Sequence, residues 1–485
     1  MSHLESNIIS KVTGGRWINL DGSTTFSHIS THNSNAKNSL YASIKGITMN
    51  AESAINTLGA SAVIVSAQDA DEMYSGLKIP LLIVDNVKAS LISIAKYTRG
   101  LIKAPMIAVT GSVGKSGFKH QVRHLLKTQC EVCASSNSRN LDYPILCNLS
   151  SANIQLDVGI IEVAGSEPHV CARRSNWILP DICVITNLSL EHMRYHKTIG
   201  CMLKNKADIV RGLSHGGVCF LNSDNEFFEQ IRYEIRKIRK DISIKTFGSK
   251  EESDARLVSY VYDAKSYSWD VESNIEGNIV KYKVPILGYH APLMSTLALL
   301  TVSHLGYDVK KSSKCYSNFK SSQTMGRLYE IEMGSGAFQF LDHSYRISIP
   351  SAKSAMKSLR YFHHKDRGRK IVVLTEIYEM SEKYCKWSYS QIAKMINNSG
   401  IDILYIYGKE FFSIVKENVD SNIKIKEFKD DSVEEVLDEI NVGDIVMVQG
   451  QPHVKCSMSL VRKIYKKGQV KSIIGNSHFI PQKSC

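Results

Sequence analysis

The segment Thr110-Gly-Ser-Val-Gly-Lys-Ser116 is the first candidate for chemistry, because it follows a short apolar run that begins at Met106. This order predicts a buried strand, a tight glycine turn and the start of a helix, whose backbone N–H groups would form a nest for phosphate oxygens. Lys115 would contact the outer phosphates, and the Ser116 hydroxyl would bind Mg²⁺. The spacing G-x-x-G-K-S is two residues shorter than the common P-loop, so a glycine turn without a ligand is the alternative interpretation.

The composition of the 485-residue chain is that of a globular protein, with 43% hydrophobic and 22% charged residues. No apolar run reaches the ~18 residues of a membrane span, and the start of the chain does not resemble a secretory signal, so we expect a cytoplasmic protein that binds no membrane. The 11 scattered cysteines favour reduced thiols. The formal charge of +13 is spread along the chain, which disfavours nucleic acid as a partner and favours an anionic ligand such as ATP.

Short continuous apolar runs predict an α/β protein whose strands are buried on both faces of parallel sheets. A small α/β unit is expected before residue 100, and a doubly wound domain near the end of the chain. An antiparallel hairpin is expected within residues 257–285. The strongest strand candidates are residues 39–44, 62–65, 80–84, 106–110, 158–163, 181–187, 217–222, 371–376, 403–408 and 444–450.

Four polar residues follow the C-terminal ends of the central strand candidates, which is where ligands collect in open parallel sheets. They are Glu162, Thr186, Asn187 and His192. A carboxylate in an apolar run needs a partner, and Mg²⁺ beside ATP would be one, with a salt bridge as the alternative. His192 by itself is more often a surface or capping histidine. Lys206 by itself would be a solvated surface lysine.

Taken together, the segments 110–116, Ile161-Glu162, Thr186–His192 and Lys204–Ile209 resemble the Mur ligase family in their order and spacing, most closely its MurF type. The resemblance implies three α/β domains: an N-terminal substrate-binding domain at 1–100, a central P-loop ATPase domain with a parallel sheet at 101–315, and a doubly wound, Rossmann-like ligase domain at 316–485. It also implies an enzyme that uses ATP and Mg²⁺ to phosphorylate a small-molecule carboxylic acid and join it to an amine, and we favour a monomer.

The family pattern also implies roles for individual residues. Catalysis would depend on Lys115, Glu162, His192 and Lys206, of which Lys206 would be carbamylated and would need a depressed pKa. The metal ligands would be Ser116, Glu162, His192 and Lys206. The contacts to ATP would come from Thr110, Gly111, Ser112, Gly114, Lys115, Ser116, Gly117, Asn187, Arg327 and Asp342. For Arg327 and Asp342, an ion pair on the domain surface is the alternative.

Departures from the family pattern are concentrated in the first domain. The D-[ST]-R of MurF-type enzymes corresponds to Thr31-His-Asn33, and their D-G-H has no counterpart in residues 45–50. Losing the arginine removes a charge-assisted contact to a diphosphate worth ~1.5 to 3 kcal/mol. In addition, Ala291 and Met294 replace the asparagines that follow His290, and Gln449-Gly-Gln451 replaces the usual K-G-S.

These departures predict a ligase with retained chemistry and a changed acid substrate, joined to an amino acid or peptide. Arg139, Arg173 and Arg174 are candidates to bind the acid. One alternative is a genuine cell-wall ligase of the MurF type, which adds D-alanyl-D-alanine to a UDP-linked precursor. A second alternative is a nucleotide-binding protein without ligase activity.

Overall fold

The computed structural model describes residues 4–20, 22–33, 36–73, 79–135, 140–320, 326–362, 368–378, 380–451 and 453–472. These residues form three sheets, of five, nine and seven strands, with helices packed against them. The predicted α/β fold class is therefore confirmed. None of the helices in this part of the chain is both long and apolar enough to cross a bilayer. Arg139 lies outside the described residues.

The first sheet is built by residues 16–84 and is mostly parallel. The elements of this region are α1 (Ser6–Thr13), β1 (Arg16–Ile18), β2 (Ile29–Ser30), β3 (Leu40–Ala42), α2 (Ala51–Asn56), β4 (Ala62–Ser66), α3 (Ala67–Met73), β5 (Leu81–Val84) and α4 (Val87–Leu101). The strand order is β1-β5-β4-β3-β2, and only β1 runs antiparallel to its neighbour. The strands predicted at 39–44, 62–65 and 80–84 are thus present as β3, β4 and β5.

The second sheet contains the strand that precedes the glycine loop, third from one edge. Its region comprises β6 (Met106–Thr110), α5 (Lys115–Leu126), β7 (Val132–Ala134), α6 (Asp142–Ser150), β8 (Val158–Glu162), α7 (Val170–Ile178), β9 (Ile182–Ile185), α8 (Ile199–Ala207), β10 (Val218–Asn222), α9 (Phe228–Ile238), β11 (Ser243–Gly248), β12 (Ala255–Asp263), β13 (Ser268–Ile275), β14 (Asn278–Val284), α10 (Ala291–His304) and α11 (Val309–Cys315). The order is β14-β13-β12-β11-β10-β9-β6-β8-β7. Every residue of β6, β8 and β9 is buried, which explains their uninterrupted apolar sequences.

The predicted hairpin is present as β13 and β14, which pair antiparallel and extend the sheet beyond β12. In contrast, β6, β8 and β9 are parallel neighbours, so their C-terminal ends meet at one edge. Val109 pairs with Glu162 and Thr110 pairs with Ile185 in this register. The loops that follow the three strands therefore lie side by side.

In the third sheet five neighbouring strands are parallel, and the last two strand pairings at one edge are antiparallel. Its elements are β15 (Arg327–Met333), β16 (Gly336–His343), α12 (Ile349–Leu359), β17 (Lys370–Leu374), α13 (Glu382–Ile396), β18 (Ile403–Ile406), α14 (Lys409–Asn418), β19 (Lys424–Glu427), α15 (Val433–Glu439), β20 (Ile445–Gln449), α16 (Lys455–Lys466) and β21 (Gln469–Ser472). The order is β19-β18-β17-β20-β16-β15-β21. The strands predicted at 371–376, 403–408 and 444–450 are β17, β18 and β20, whereas β15 and β21 were not predicted.

The hydrophobic cores are distributed unevenly among the three sheets. One continuous core joins buried side chains of the first sheet, such as Leu40 and Leu82, to those of the second, such as Ile185 and Val210. The other face of the second sheet has its own core under α10. Two further cores lie on the two faces of the third sheet.

Candidate functional site

The glycine loop after β6 is held in place by the segment that follows β9. The Ser112 amide donates to the carbonyl of Asn187 over 2.7 Å, and the Thr186 hydroxyl donates to the carbonyl of Val113 over 2.6 Å. Gly111 and Gly114 have φ values of +143° and +91°. A Cβ on Gly111 would lie 2.2 Å from the Thr186 hydroxyl oxygen. The first glycine is therefore required by both backbone conformation and space.

Lys115 opens α5 and turns its side chain back over the loop. Its ammonium donates to the carbonyl of Gly111 over 2.6 Å and to that of Ser112 over 3.2 Å. The first turn of α5 carries no acidic residue, so its free N–H groups and the ammonium present positive charge on the same side. This arrangement suits the binding of a polyphosphate.

Ser116 and Glu162 form a buried pair of oxygen ligands beside the loop. The Ser116 hydroxyl donates to Glu162 Oε2 over 2.7 Å, and Asn140 Nδ2 donates to Glu162 Oε1 over 2.8 Å. Lys119, which sequence reasoning missed, places its fully buried ammonium 3.6 Å from Glu162 Oε2. Burial lowers the pKa of Lys119 although the charge of Glu162 opposes this.

The Ser116 and Glu162 pair fits Mg²⁺, because the ion prefers hard oxygen ligands. Among the described residues no group of three or more His, Cys, Asp and Glu side chains could hold a metal. Mg²⁺ commonly takes only one or two protein ligands and completes its coordination with phosphate oxygens and water. The donor set in this site is of that kind.

Lys206 on α8 is buried directly against the glycine loop. Its side chain is 1% exposed, and its Nζ lies 3.4 Å from the same Gly111 carbonyl oxygen that Lys115 contacts. Burial, and next the charge of Lys115, lower the pKa of Lys206 to about 8. Gly165 makes room for this side chain, since a Cβ there would lie 2.9 Å from Lys206 Nζ. The interpretation of Lys206 as a solvated surface lysine, which the residue by itself would suggest, is therefore wrong.

His192 lies in the same loop as Thr186 and has a φ of +57°, a conformation that costs energy for a residue other than glycine. Its neighbour Glu191 is buried. Burial acts to raise the pKa of the Glu191 carboxyl, but the charges of Arg346, Lys115, His192 and Lys206 hold it below its ordinary value. Arg346 Nη2 lies 3.2 Å from Glu191 Oε1 and 3.3 Å from His192 Nε2. Sequence reasoning missed both Glu191 and Arg346, although both stand within or beside its motifs.

Thr110, Asn187 and Gly117 are further predicted ATP contacts that lie in or beside the glycine loop. The Thr110 hydroxyl donates to the carbonyl of Val163 over 3.0 Å, and the Asn187 side chain accepts a hydrogen bond from Asn225. Gly117 has open space where a Cβ would stand. Ala291 and Met294 are buried in the core under α10, and Met294 packs against Gly114.

Asp342 is fully buried within the C-terminal unit. Its Oδ1 accepts hydrogen bonds from the amide and hydroxyl of Ser344, and its Oδ2 accepts one from Tyr465 over 2.7 Å. Burial raises the pKa of Asp342 despite these bonds. Because Asp342 is fully buried, a contact with the ATP ribose would require its surroundings to open. Arg327 pairs with Asp342 in the strand register and is half-buried.

A basic cluster lies next to the Glu162 site. Asp142 on α6 is contacted by Lys88 at 2.7 Å, by Arg173 at 2.9 Å and by Arg174 at 2.8 Å. Burial acts to raise the pKa of Asp142, but the hydrogen bonds from Lys88 and Arg174 lower it to about 2. Arg174 also donates to the carbonyl of Ala164, two residues beyond Glu162. Three cations on one carboxylate leave an excess of positive charge at this position.

The sequence is similar to those of known ligases. Residues 109–300 match the model of the Mur ligase middle domain. The UDP-N-acetylmuramoyl-tripeptide–D-alanyl-D-alanine ligase of Rickettsia prowazekii is 23% identical over 403 residues, which are 82% of this chain and 85% of that one. The Bacillus subtilis ligase of the same name is 24% identical over 332 residues, 68% of each chain.

Solved structures of MurF ligases have the same fold. MurF of Acinetobacter baumannii superposes with a TM-score of 0.78 at 17% identity, covering 94% of this chain and 98% of that one. MurF of Thermotoga maritima, solved in complex with ADP, gives a TM-score of 0.71 at 17% identity and covers 91% of this chain and 98% of that one.

Proposed function

We propose that this chain is a ligase of the Mur family that joins a small carboxylic acid to the amine of an amino acid or peptide, because residues 109–300 match the Mur ligase middle domain and the similar proteins are named as ligases. The proposed reaction consumes ATP and uses Mg²⁺, and the similar MurF of Thermotoga maritima was solved with ADP. One observation carries the assignment of the reaction centre to this chain's residues: Lys115 and Lys206 converge on the Gly111 carbonyl beside the Ser116 and Glu162 pair. Binding of ATP alone would not require a buried lysine at that position.

The reaction proceeds in two steps. An oxygen of the acid's carboxylate attacks the γ-phosphorus of ATP, and ADP leaves with the electrons of the broken P–O bond. The amine then attacks the acyl carbon, inorganic phosphate leaves, and the nitrogen loses a proton. Lys115 exchanges its loop carbonyls for phosphate oxygens in the first step. Ser116 and Glu162 would hold Mg²⁺, which offsets the charge on the transferring phosphoryl group.

Lys206 is proposed to react with CO₂, losing a proton and becoming a carbamate anion. The burial of its amine and the lowering of its pKa to about 8 support this, because only the neutral amine reacts with CO₂. The carbamate oxygens and His192 would then serve a second metal ion or the acyl phosphate. Without the carbamate, three cationic side chains, those of Lys115, Lys206 and Arg346, would meet at this end of β6.

The acid substrate is proposed to be anionic and different from the usual UDP-linked precursor. The basic cluster of Lys88, Arg173 and Arg174 supports an anionic substrate, since its charge exceeds that of Asp142. In the first unit, Asn33 stands in place of the family arginine, and its side chain accepts a hydrogen bond from the Tyr41 hydroxyl over 2.8 Å. A neutral amide held in this way offers a diphosphate no charge.

A genuine MurF-type cell-wall ligase is the second candidate. The names of the similar proteins from Rickettsia prowazekii and Bacillus subtilis favour it. In this case the enzyme would bind the UDP-linked tripeptide despite the substitution at Asn33.

Phosphate release from ATP distinguishes these proposals. Purified protein with Mg²⁺ is given pooled acids and amines, and separately the UDP-linked tripeptide with D-alanyl-D-alanine. We expect phosphate release only when both an acid and an amine are present. We also expect this release to be lost in Lys115→Ala and in Lys206→Ala. Release with the UDP-linked pair would establish the second candidate. No release from any pool, with ADP binding intact, would contradict the proposed ligase, and full turnover by Lys206→Ala would contradict the carbamate.

A further inference from the structure

Arg346 connects the C-terminal unit to the reaction centre. It lies in the loop between β16 and α12, and its guanidinium contacts Glu191 at 3.2 Å and His192 at 3.3 Å. Both contacts use the same nitrogen, Nη2. The other N–H groups of the guanidinium are therefore not engaged by these two residues. The side chain is 32% exposed.

The partner of Arg346 is poorly satisfied. The Glu191 side chain is 2% exposed, and neither of its oxygens accepts a hydrogen bond from any residue that the structure describes. A buried carboxylate held by charge alone gains less than one held by aligned hydrogen bonds. The contact between Arg346 and Glu191 is therefore suited to being exchanged for a better acceptor.

The surroundings of Arg346 carry excess positive charge. The Lys115 and Lys206 ammoniums share the Gly111 carbonyl. The segment that carries Glu191 is tied to the same loop, because the Ser112 hydroxyl donates to the carbonyl of Ser189 over 3.2 Å. Lys119 and Glu162 offset each other nearby. With Lys206 unmodified, three cations therefore face the single carboxylate of Glu191. With Lys206 carbamylated, Lys115 and Arg346 are the cations that remain beside Glu191 to receive an added anion.

We propose that Arg346 binds an oxygen of the γ-phosphoryl group when ATP occupies the glycine loop, giving up its contact with Glu191. A guanidinium matches phosphate geometry and keeps its charge at every physiological pH. Its contact would strengthen as negative charge develops on the transferring group. The inference rests on the proposed function, because it requires ATP in the loop.

Nucleotide binding tests this inference without the organic substrates. Isothermal titration of the whole protein with Mg²⁺ and either ADP or the β,γ-imido analogue of ATP gives one Kd for each nucleotide. In Arg346→Gln the Kd of the ATP analogue is expected to rise about tenfold, the loss of one charge-assisted hydrogen bond, while the Kd of ADP changes less than about twofold. The unchanged ADP affinity also shows that the variant is folded.

Arg360→Gln is the matched control, because it removes the same charge from an exposed position at the end of α12. Both of its Kd values should equal those of the wild-type protein. Equal weakening of both nucleotides by Arg346→Gln would assign Arg346 to packing of the C-terminal unit and overturn the inference, as would no change in either. If the wild-type protein bound neither nucleotide, the proposed function would fail first and the inference with it.

Discussion

Gly111 shows how closely a single residue determines the conformation of the glycine loop. Its φ of +143° and its approach to Thr186 exclude a Cβ on separate grounds. Thr186 also donates a hydrogen bond to the Val113 carbonyl. A side chain that displaced Thr186 would therefore break this bond as well. The position combines backbone geometry with loop anchoring, which a glycine pattern alone does not reveal.

We expect Gly111→Ala to lower the free energy of unfolding by roughly 1–3 kcal/mol through strain and to abolish ATP turnover. The midpoint of thermal unfolding measures the first effect, and phosphate release measures the second. Gly100→Ala is the control: this exposed glycine in α4 has open space for a Cβ, and the variant should gain about 0.5–1 kcal/mol from helix propensity. A Gly111→Ala protein as stable as the wild type would contradict the steric account.

At the scale of elements, the start of α12 fixes the loop that presents Arg346. Ser348 caps the helix: its amide donates to the Ser351 hydroxyl over 2.8 Å, and its own hydroxyl accepts from the Ser351 amide over 3.4 Å. This reciprocal pair satisfies two N–H groups that a helix start leaves open. The cap therefore limits where the residues just before it can lie.

Ser348→Ala is expected to cost about 1 kcal/mol, which corresponds to a fall of about 2–4 °C in Tm for a unit of this size. Differential scanning calorimetry provides the measurement. Ser381→Ala serves as the matched control, because Ser381 precedes α13 without a side-chain capping bond. A control that loses as much stability as Ser348→Ala would show that the capping bonds contribute nothing specific.

The elements that sequence reasoning predicted share a strong local signal. Strands β8, β9 and β17 are uninterrupted apolar runs because both of their faces are covered, and the hairpin of β13 and β14 turns at Gly277. The strands that were missed lack such a signal. β15 lies next to the edge of its sheet, and its apolar residues alternate with charged ones. β21 is a short strand that pairs with β15.

The candidate site was predictable from its residues where the pairing of parallel strands determines which loops meet. Residues 110–116 and Glu162 come together because parallel strands align their ends, a rule that needs no coordinates. Arg346 and Glu191 could not be paired in advance, because their contact depends on how the third sheet is placed against the second. The role predicted for Asp342 came from its motif, whereas its hydrogen bonds with Ser344 and Tyr465 depend on the tertiary structure.

At the scale of the molecule, the Asp142 cluster connects three helices, α4, α6 and α7. The pKa of Asp142 is about 2 in the folded protein, against 3.8 for the ordinary group. A depressed pKa of a carboxyl group contributes stability above the unfolded value and loses it as the pH falls toward the folded value. The contribution, roughly 2 kcal/mol by linkage, is therefore present at neutral pH and lost between about pH 4 and pH 2.

Asp142→Asn should accordingly lower Tm at pH 7, and the difference from wild type should shrink as the pH approaches 2. Scanning calorimetry at pH 7, 4 and 2.5 follows this change. Asp241→Asn is the control: the pKa of Asp241 is also lowered to about 2 by Arg239, but Asp241 is exposed and the pair is screened by water, so its effect at pH 7 should be smaller. A difference between Asp142→Asn and wild type that stays constant with pH would rule out the linkage.

The shared core between the first two sheets restricts how such a protein can be recombined. Residues on β3 and β5 pack into the same apolar cluster as residues on β9 and α8, so the first two sheets have no separate interiors. A chimera that exchanged only the first hundred residues would inherit mismatched halves of one interior. The third sheet, whose two cores lie mainly within its own chain segment, is the better unit to exchange as a whole.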